Sequence, residues 1–419
     1  VLLALTAACG SNGNQETGGA EAKVAIEPAK TPEPVELVFF STAGWTQDAF
    51  NERFGNAMRS KFPNYQIKYI QSNKETTIDS LLTSGTTIDV YWHAVNLLFS
   101  DLLQYQMQLD MSSLVKKHNV DLDRLDPATL QIVKTMSGGK LYALPLVSNT
   151  GVLYYNKDIF DKFGVPYPKN GMVWDDVLEL GKKVNRADGG KTYYGIGGTF
   201  NKIVGLSPYS IPYIDSKTMK PTIQTDPHWK TIYQQLIDAY HTTENKAMSS
   251  NNFLKDQNLA MFADLANLFL NKDMTSMNWD MASFPTMKEA PNKGQQPLPT
   301  LFSITSMSKH PDQAMEVLKY MLSDELQKDL SERAVIPAVN TSAVVKAFGT
   351  KSTYKNKNFS AIFFHPFSDI PPMTAYDADA LKIYQKPLTK LAEGTLDLNT
   401  AFRQIDEETS QMIAEKKAK

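Results

Sequence analysis

The chain has 419 residues, 42% hydrophobic and 21% charged, with a net charge of −2. That composition excludes a disordered chain, and the near-neutral balance gives no reason to expect nucleic acid or an acidic surface as partner. The length exceeds one ordinary core, so two lobes are expected.

Val1 to Ala8, VLLALTAA, is a short apolar run ending in small residues before Cys9. It is too short to span a membrane and reads as the remnant of a secretory signal peptide, residues 1–8. The run into Cys9 resembles the bacterial lipobox, in which the cysteine is lipidated and becomes the mature N-terminus. The usual Leu three residues before the cysteine is displaced, since Leu5 stands four before and Thr6 three before. A buried structural cysteine is the alternative, but the flanking stretch has almost nothing to bury. Residues 10–34 are polar, with Gly, Asn and Glu first and Pro-interrupted charge later, so 9–34 is expected to be a lipidated, disordered tether. Cys9 is the sole cysteine, so no internal disulfide can form.

From Val35 the pattern turns globular. Val35 to Phe40 reads as a strand. Thr46 can cap a helix to about Lys61, with Phe50, Phe54 and Met58 on one face and Pro63 ending it. Gln66 to Gln71 reads as a strand, Glu75 to Ser84 as a helix closed by Gly85, Ile88 to Trp92 as a strand, and Leu97 to Met107 as a helix. Strands alternating with helices imply a mostly parallel sheet with helices on its faces. Gly139 to Tyr167 then changes the layout. Leu141 to Val147 and Gly151 to Tyr155 are extended, and Asp158, Ile159, Phe160 and Phe163 form a short helix stopped by Gly164 and Pro166. The chain leaves one layer there and begins another.

Beyond it, Trp174, Val177, Leu178 and Val184 make one helical stripe, and Asp188-Gly189-Gly190-Lys191 reads as a hairpin turn before the strand Thr192 to Ile196. Asp226 to Tyr240 and Phe253 to Met261 read as helices, Asn278 to Phe284 as extended, Gly294 to Thr300 as a loop and Leu301 to Thr305 as a strand. Pro311 opens a helix whose buried stripe is Ala314, Val317, Leu318 and Met321. Two helices end the chain, roughly Ala375 to Ala392 and Thr400 to Glu415, the second capped by Asn399. No internal repeat is visible.

GKLYALP followed by LYYNKDIFDKFGV resembles the hinge-crossing segment of the extracellular solute-binding proteins of ABC importers, sugar-binding family 1, and its maltodextrin-binding members in particular. IDVYWHAVN, SITSMSKHPDQAMEVLKYMLS and DIPPMTAYDAD resemble further segments of that family, in the family's order. The resemblance implies an α/β, two-lobed, periplasmic-binding-protein-like fold of type II with interleaved lobes and a hinge. Lobe one would be 35–147 plus 300–346 and lobe two 148–299 plus 347–419. The ligand would lie between them at the carboxyl ends of the strands, where open parallel sheets bind ligands on physical grounds too.

Catalytic signatures are missing. Gly195, Gly197 and Gly198 begin a dinucleotide-like pattern, but Phe200 stands where its last Gly belongs. There is no GxxxxGK[ST], HExxH or GxSxG. Asp121, Asp123 and Asp126 lack the Gly and Glu of a calcium loop and read as a solvated helix start. The six histidines have no ligand spacing, so no metal and no cofactor is expected.

The candidates left are aromatic, amide and carboxylate residues at strand ends, the types that stack on sugar faces and bond paired hydroxyls. Trp92 ends the third strand and corresponds to a stacking tryptophan in the maltodextrin-binding members; a core tryptophan is the alternative. Trp45 follows the first strand and can line the cleft or lid its helix. Asn149 stands where those members carry a sugar-touching glutamate, with a hinge amide as the rival. Phe200 and Asn201 lie in a glycine-rich loop after a strand. Asp264 and Asn267 follow LAMF, where the family often places a Gly and a Trp. Tyr376 and Asp377 open a helix, Asp377 replacing a stacking tryptophan; helix capping is the alternative for these last pairs. Trp174 and Trp279 read as core. These departures favour a saccharide other than maltodextrin. The expectation is a monomeric, non-enzymatic lipoprotein on the extracellular face of a bacterial membrane, handing a saccharide to the transmembrane subunits of an ABC permease. The rival is a secreted carbohydrate-active enzyme such as a glycosidase, with Asp264 and Asp377 as its carboxyl pair.

Overall fold

The computed structural model describes residues 35–418, except 199, 245–247 and 340. Cys9, the apolar run before it and the tether lie outside them. Among the described residues the strands are β1 Val35–Ser41, β2 Tyr65–Gln71, β3 Val90–Ala94, β4 Leu144–Val147, β5 Gly151–Asn156, β6 Arg186–Asp188, β7 Lys191–Gly198, β8 Ile214–Asp215, β9 Lys220–Pro221, β10 Leu259–Leu265, β11 Trp279–Ser283 and β12 Thr300–Ile304. They build two five-stranded sheets, ordered β2-β1-β3-β12-β4 and β11-β5-β10-β7-β6, plus the small β8-β9 pair. In the first sheet β1 runs parallel to β2 and β3, while β12 returns antiparallel between β3 and β4. In the second, β10 is parallel to β7 and antiparallel to β5. The fold is thus α/β and two-lobed.

Local signals explain most elements. Thr46 caps the first helix, its hydroxyl accepting from the Ala49 amide at 3.2 Å. That helix runs from Gln47 to Lys61 with a π-helical turn at Asn51–Gly55, and buries Phe50, Phe54 and Met58 completely. Asp126 caps Pro127–Met136 through the Thr129 amide at 2.8 Å. Gly164, at φ +63°, closes Lys157–Phe163 in the left-handed conformation glycine allows.

Several elements differ from the sequence pattern. The helix expected over 253–261 is Ser250–Leu254 followed by strand β10. Leu259 to Ala263 are all buried at the centre of the second sheet, and a run buried on both faces carries no alternation to mark it as a strand. The third strand is Val90–Ala94, shifted two residues, so Trp92 lies inside it. The Asn73 side chain accepts from the amides of Glu75 and Thr76, both at 2.8 Å, and this turn delays the next helix to Ile78–Thr83. Pro387 divides the late helix into Asp377–Gln385 and Leu388–Ala392. The last helix starts at Leu398, capped by Asp397 rather than Asn399, with Oδ1 accepting from the Thr400 amide at 3.0 Å.

The cores follow the sheets. The first gathers buried residues from 37–147 and 301–339, plus Ile370. The second sheet is covered on both faces, as the alternation of β5 shows. Leu153 and Tyr155 pack with Val177, Trp229 and Tyr384. Val152 and Tyr154 pack with Phe253, Phe269, Trp279 and Ile336.

Between the cores the chain crosses at 148–150 and 294–299, and 334–339 runs along the boundary, with Ala334 and Ile336 packed on the second sheet and Val335, Ala338 and Val339 in the first core. Buried backbone there needs partners. The Ser148 amide donates to the Ile336 carbonyl at 2.9 Å and the Leu298 amide to the Asn149 carbonyl at 2.8 Å. Gln327, fully buried on helix Asp324–Glu332, supplies more. Its Nε2 donates to the carbonyls of Leu146 (2.9 Å) and Met321 (2.7 Å), and its Oε1 accepts from the amides of Ala338 (2.9 Å) and Val339 (3.2 Å). Buried Gln295 and Gln296 donate to the carbonyls of Lys202 and Ser207, each at 2.9 Å. Gly151 leaves room for this: a Cβ there would stand 1.9 Å from Gln295 Oε1 and 2.5 Å from the Phe284 ring. Gln327→Leu keeps the bulk but strips four backbone groups of their partner, so it should cost about 3–5 kcal/mol in urea unfolding. A loss under about 1 kcal/mol would show that other groups satisfy that backbone.

Candidate functional site

The residues that follow β3 and β7 border one pocket between the lobes. Val95 comes from the first lobe; Lys202, Gly205, Leu206, Tyr213, Asp377, Ala378 and Leu381 come from the second; Gln296, Pro297 and Leu298 belong to a crossing; Ile370 and Met373 complete the wall. The pocket encloses about 650 Å³ of empty space, part of it open to solvent. Helix Asp377–Gln385 lies against helix Val95–Gln104 and closes one side.

Its polar groups are few and strained by burial. Asp377 is 7% exposed. Its Oδ1 accepts from the Thr374 amide at 3.2 Å and the Thr374 hydroxyl at 2.5 Å. Burial pushes this carboxyl up to about 6, against the pull of those two bonds. The Tyr213 hydroxyl is buried with no hydrogen-bond partner in the structure, and burial, with the Asp377 charge behind it, raises its pKa. Burial lowers the Lys202 pKa while the Asp264 charge opposes the shift. Asp264 is raised by burial and held back by its 2.7 Å bond from the Leu265 amide and by Lys202. A phenol, a carboxylate and an ammonium among Leu206, Leu298, Met373 and Leu381 make a site of apolar walls with a few polar anchors, the ordinary build of a small-molecule pocket. Among the described residues no group of three His, Cys, Asp or Glu could hold a metal ion.

The structure brings some of the sequence-predicted residues together. Asp377 lines the pocket, and Tyr376 precedes it as the residue before the helix, its amide bonded to the Thr374 hydroxyl at 3.2 Å. Asp264 sits near the carboxyl end of β10, opposite Lys202 in charge. Asn267 opens the short helix Leu268–Asn271 with no side-chain cap. Phe200 and Asn201 lie in the short helix Phe200–Ile203, their side chains outside the described residues. Asn149 is 8% exposed, its Oδ1 accepting from the Thr150 amide at 3.0 Å, which is the hinge-amide arrangement.

The tryptophans form a separate cluster. Trp45 is half-buried and meets Trp92 edge-on, ring centroids 4.5 Å apart. Trp92 stacks on Phe302 at 5.4 Å and exposes 1% of its surface. The expectation of a free indole face at a strand end does not hold in this arrangement: one register shift has placed Trp92 inside β3, opposite Phe302 of β12. Trp174 and Trp279 are buried.

Lys202, Tyr213, Gln296 and Met373 were not singled out by the sequence. A basic residue just past the flagged Phe200 and Asn201, and the polar pair Gln295-Gln296 before Pro297, were the available signals. Tyr213 had none, because it lies in an irregular stretch.

A family model for bacterial extracellular solute-binding proteins matches residues 41–328. The chain belongs to that family of binding proteins. It is 20% identical over 358 residues to a probable ABC transporter-binding protein of Deinococcus radiodurans, covering 77% of each chain. Its fold is similar to that of a sugar transporter of Rhizobium etli in an open conformation, with a TM-score of 0.70, 20% identity, and 90% of this chain and 99% of that one covered. It is also similar to an ABC substrate-binding protein of Listeria monocytogenes in complex with cycloalternan, with a TM-score of 0.72, 15% identity, and 91% and 99% covered.

The raised carboxyl has a consequence for stability. Asp377 titrates at about 6 when folded against an ordinary 3.8, so its contribution is fully present below about pH 4 and is lost as pH rises through 6. Asp377→Asn removes that loss. It should raise unfolding stability at pH 8 by up to about 3 kcal/mol, fading toward pH 4. Equal stability differences at both pH values would contradict a titrating, buried Asp377.

Proposed function

We propose that this chain is the ligand-capturing subunit of an ABC importer, that it holds a saccharide in the pocket between its lobes, and that it delivers it to the permease. A second pocket, lined by Pro145, Pro297, Pro337 and Phe363, also lies between the lobes; the observation that carries the reading is that the pocket bordered by the residues after β3 and β7 holds Lys202, Tyr213 and Asp377 among apolar side chains. The Tyr213 hydroxyl lacks a partner and Asp377 has acceptor capacity left, and a polyhydroxylated ligand supplies both a donor and an acceptor. The sugar transporter and the cycloalternan complex named above support the ligand class. Trp45, Phe200, Asn201, Asp264, Asn267 and Tyr376 are proposed as flanking contacts, Trp92 as the backing of Trp45, and Asn149 as a hinge residue. We draw the lobes as 35–147 with 300–346 and 148–299 with 347–419, with Ile370 reaching back into the first core. The ligand acts by preferring the closed form over the open one. The protein binds without chemistry, as a monomer, on the extracellular face of the membrane.

A panel of mono- and oligosaccharides in thermal unfolding tests this reading. The matching sugar, at one hundred times its dissociation constant, should add about 2.7 kcal/mol, and Asp377→Ala should remove most of the shift. No response to any sugar, or shorter products on chromatography, would overturn it; the second result would make Asp264 and Asp377 a glycosidase pair.

The lipid anchor at Cys9 is tested apart from the ligand. Cys9→Ser should release the protein from membranes into the medium. A variant still sedimenting with membranes in high salt would show that another feature holds it.

A further inference from the structure

Away from 148–150, 294–299 and 334–339 the lobes also meet between two short elements. The π-helical turn Asn51–Gly55 of the first lobe presents Arg53, and helix Leu268–Asn271 of the second presents Asn271. Arg53 Nη2 donates to Asn271 Oδ1 at 2.7 Å, joining residues 218 apart in sequence. The same guanidinium lies over the Trp45 ring, 4.2 Å from its centroid. Leu270 is the apolar companion of this contact, since it packs against both the first core and one face of the second sheet.

The first-lobe side of the contact is braced. A π-helical turn shifts side-chain register and is common at functional positions. Arg59 Nη2 holds this one by donating to Asn51 Oδ1 at 2.5 Å and Asn56 Oδ1 at 3.2 Å. Gly55 leaves the space, since a Cβ there would stand 2.8 Å from Arg59 Nη2. Arg333 Nη1 donates to the Glu52 carbonyl at 2.6 Å and is itself held by Asp329. Burial, and then the Arg333 charge, push Arg53 down to about 10, so it remains a cation at neutral pH. Among the described residues Arg53 makes no ion pair. Its partner across the lobes is a neutral, exposed amide, a bond cheap enough to make and break.

We propose that Arg53 is a positioning residue that orients the Trp45 indole and latches the first lobe to the second through Asn271. Rotation about the crossings that parts the lobes breaks the Arg53–Asn271 bond and frees the guanidinium from its outer restraint. The orientation of Trp45 is thereby tied to closure. The inference rests on the reading that the lobes open and close around a ligand, but its test needs none.

The full chain carrying Cys9→Ser, Lys68→Cys and Lys183→Cys, with spin labels on these two exposed positions, reports the interlobe distance by double electron–electron resonance without sugar. Arg53→Ala and Asn271→Ala should each lower the ratio of short to long distances by roughly three- to tenfold, the worth of one such hydrogen bond, and the double variant should fall no further. Arg53→Lys keeps the charge but loses the planar fork and should behave like Arg53→Ala. Thermal unfolding of each variant checks that it is folded, and Asn271→Ala alters only an exposed helix end. An unchanged distribution in both single variants would overturn the latch. So would a shift in Arg53→Ala with none in Asn271→Ala, which would confine Arg53 to its own lobe. Failure of the saccharide reading shows separately, as silence in the thermal panel.

Discussion

Everything in this molecule depends on how buried backbone is satisfied where the chain passes between lobes. A sheet pairs its own amides and carbonyls, but a crossing segment has no ladder. Here glutamine side chains substitute for one. A primary amide offers two donors and two acceptor sites, and Gln327 uses all four on the backbone of Leu146, Met321, Ala338 and Val339. Gln295 and Gln296 do the same in smaller measure for the short helix that holds Lys202 and the turn at Ser207. The packing is tight enough that Gly151 admits no Cβ beside Gln295.

The same amides build the pocket. Gln296, Pro297 and Leu298 are at once a crossing and a wall, and Gln295 fixes the backbone of Lys202, which lines the same pocket. Hinge and pocket are therefore one structure. A rotation at the crossings would alter the pocket, and a ligand held there would then interact differently with the two lobe arrangements, which is what linkage requires. The buried phenol of Tyr213 and the raised carboxyl of Asp377 mark where polar capacity was left unused.

The sequence carried the layout well where local chemistry decides it. Thr46, Asp126, Gly164 and Pro311 each act as their residue types suggest, and the resemblance carried by Gly139 to Tyr167 agrees with the family match. It failed where tertiary burial erased periodicity, as in Leu259 to Ala263, and where one side-chain bond moved a boundary, as at Asn73 and Asp397. The site was legible in part. Asp377 was visible as a departure from a familiar pattern, whereas Tyr213 and Lys202 are brought to the pocket only by folding. Trp92 shows the cost of a small register error: two residues separate a strand end from a position stacked on Phe302.

The central claim is that one pocket between the lobes takes the ligand. Hydrogen–deuterium exchange with and without a bound saccharide tests it most directly, because it reads every backbone segment at once. Slower exchange should appear in 202–213, 294–299 and 370–381, the segments that wall the pocket, and in the residues just after β3. Protection confined to another surface, with these segments unchanged at saturation, would contradict the account.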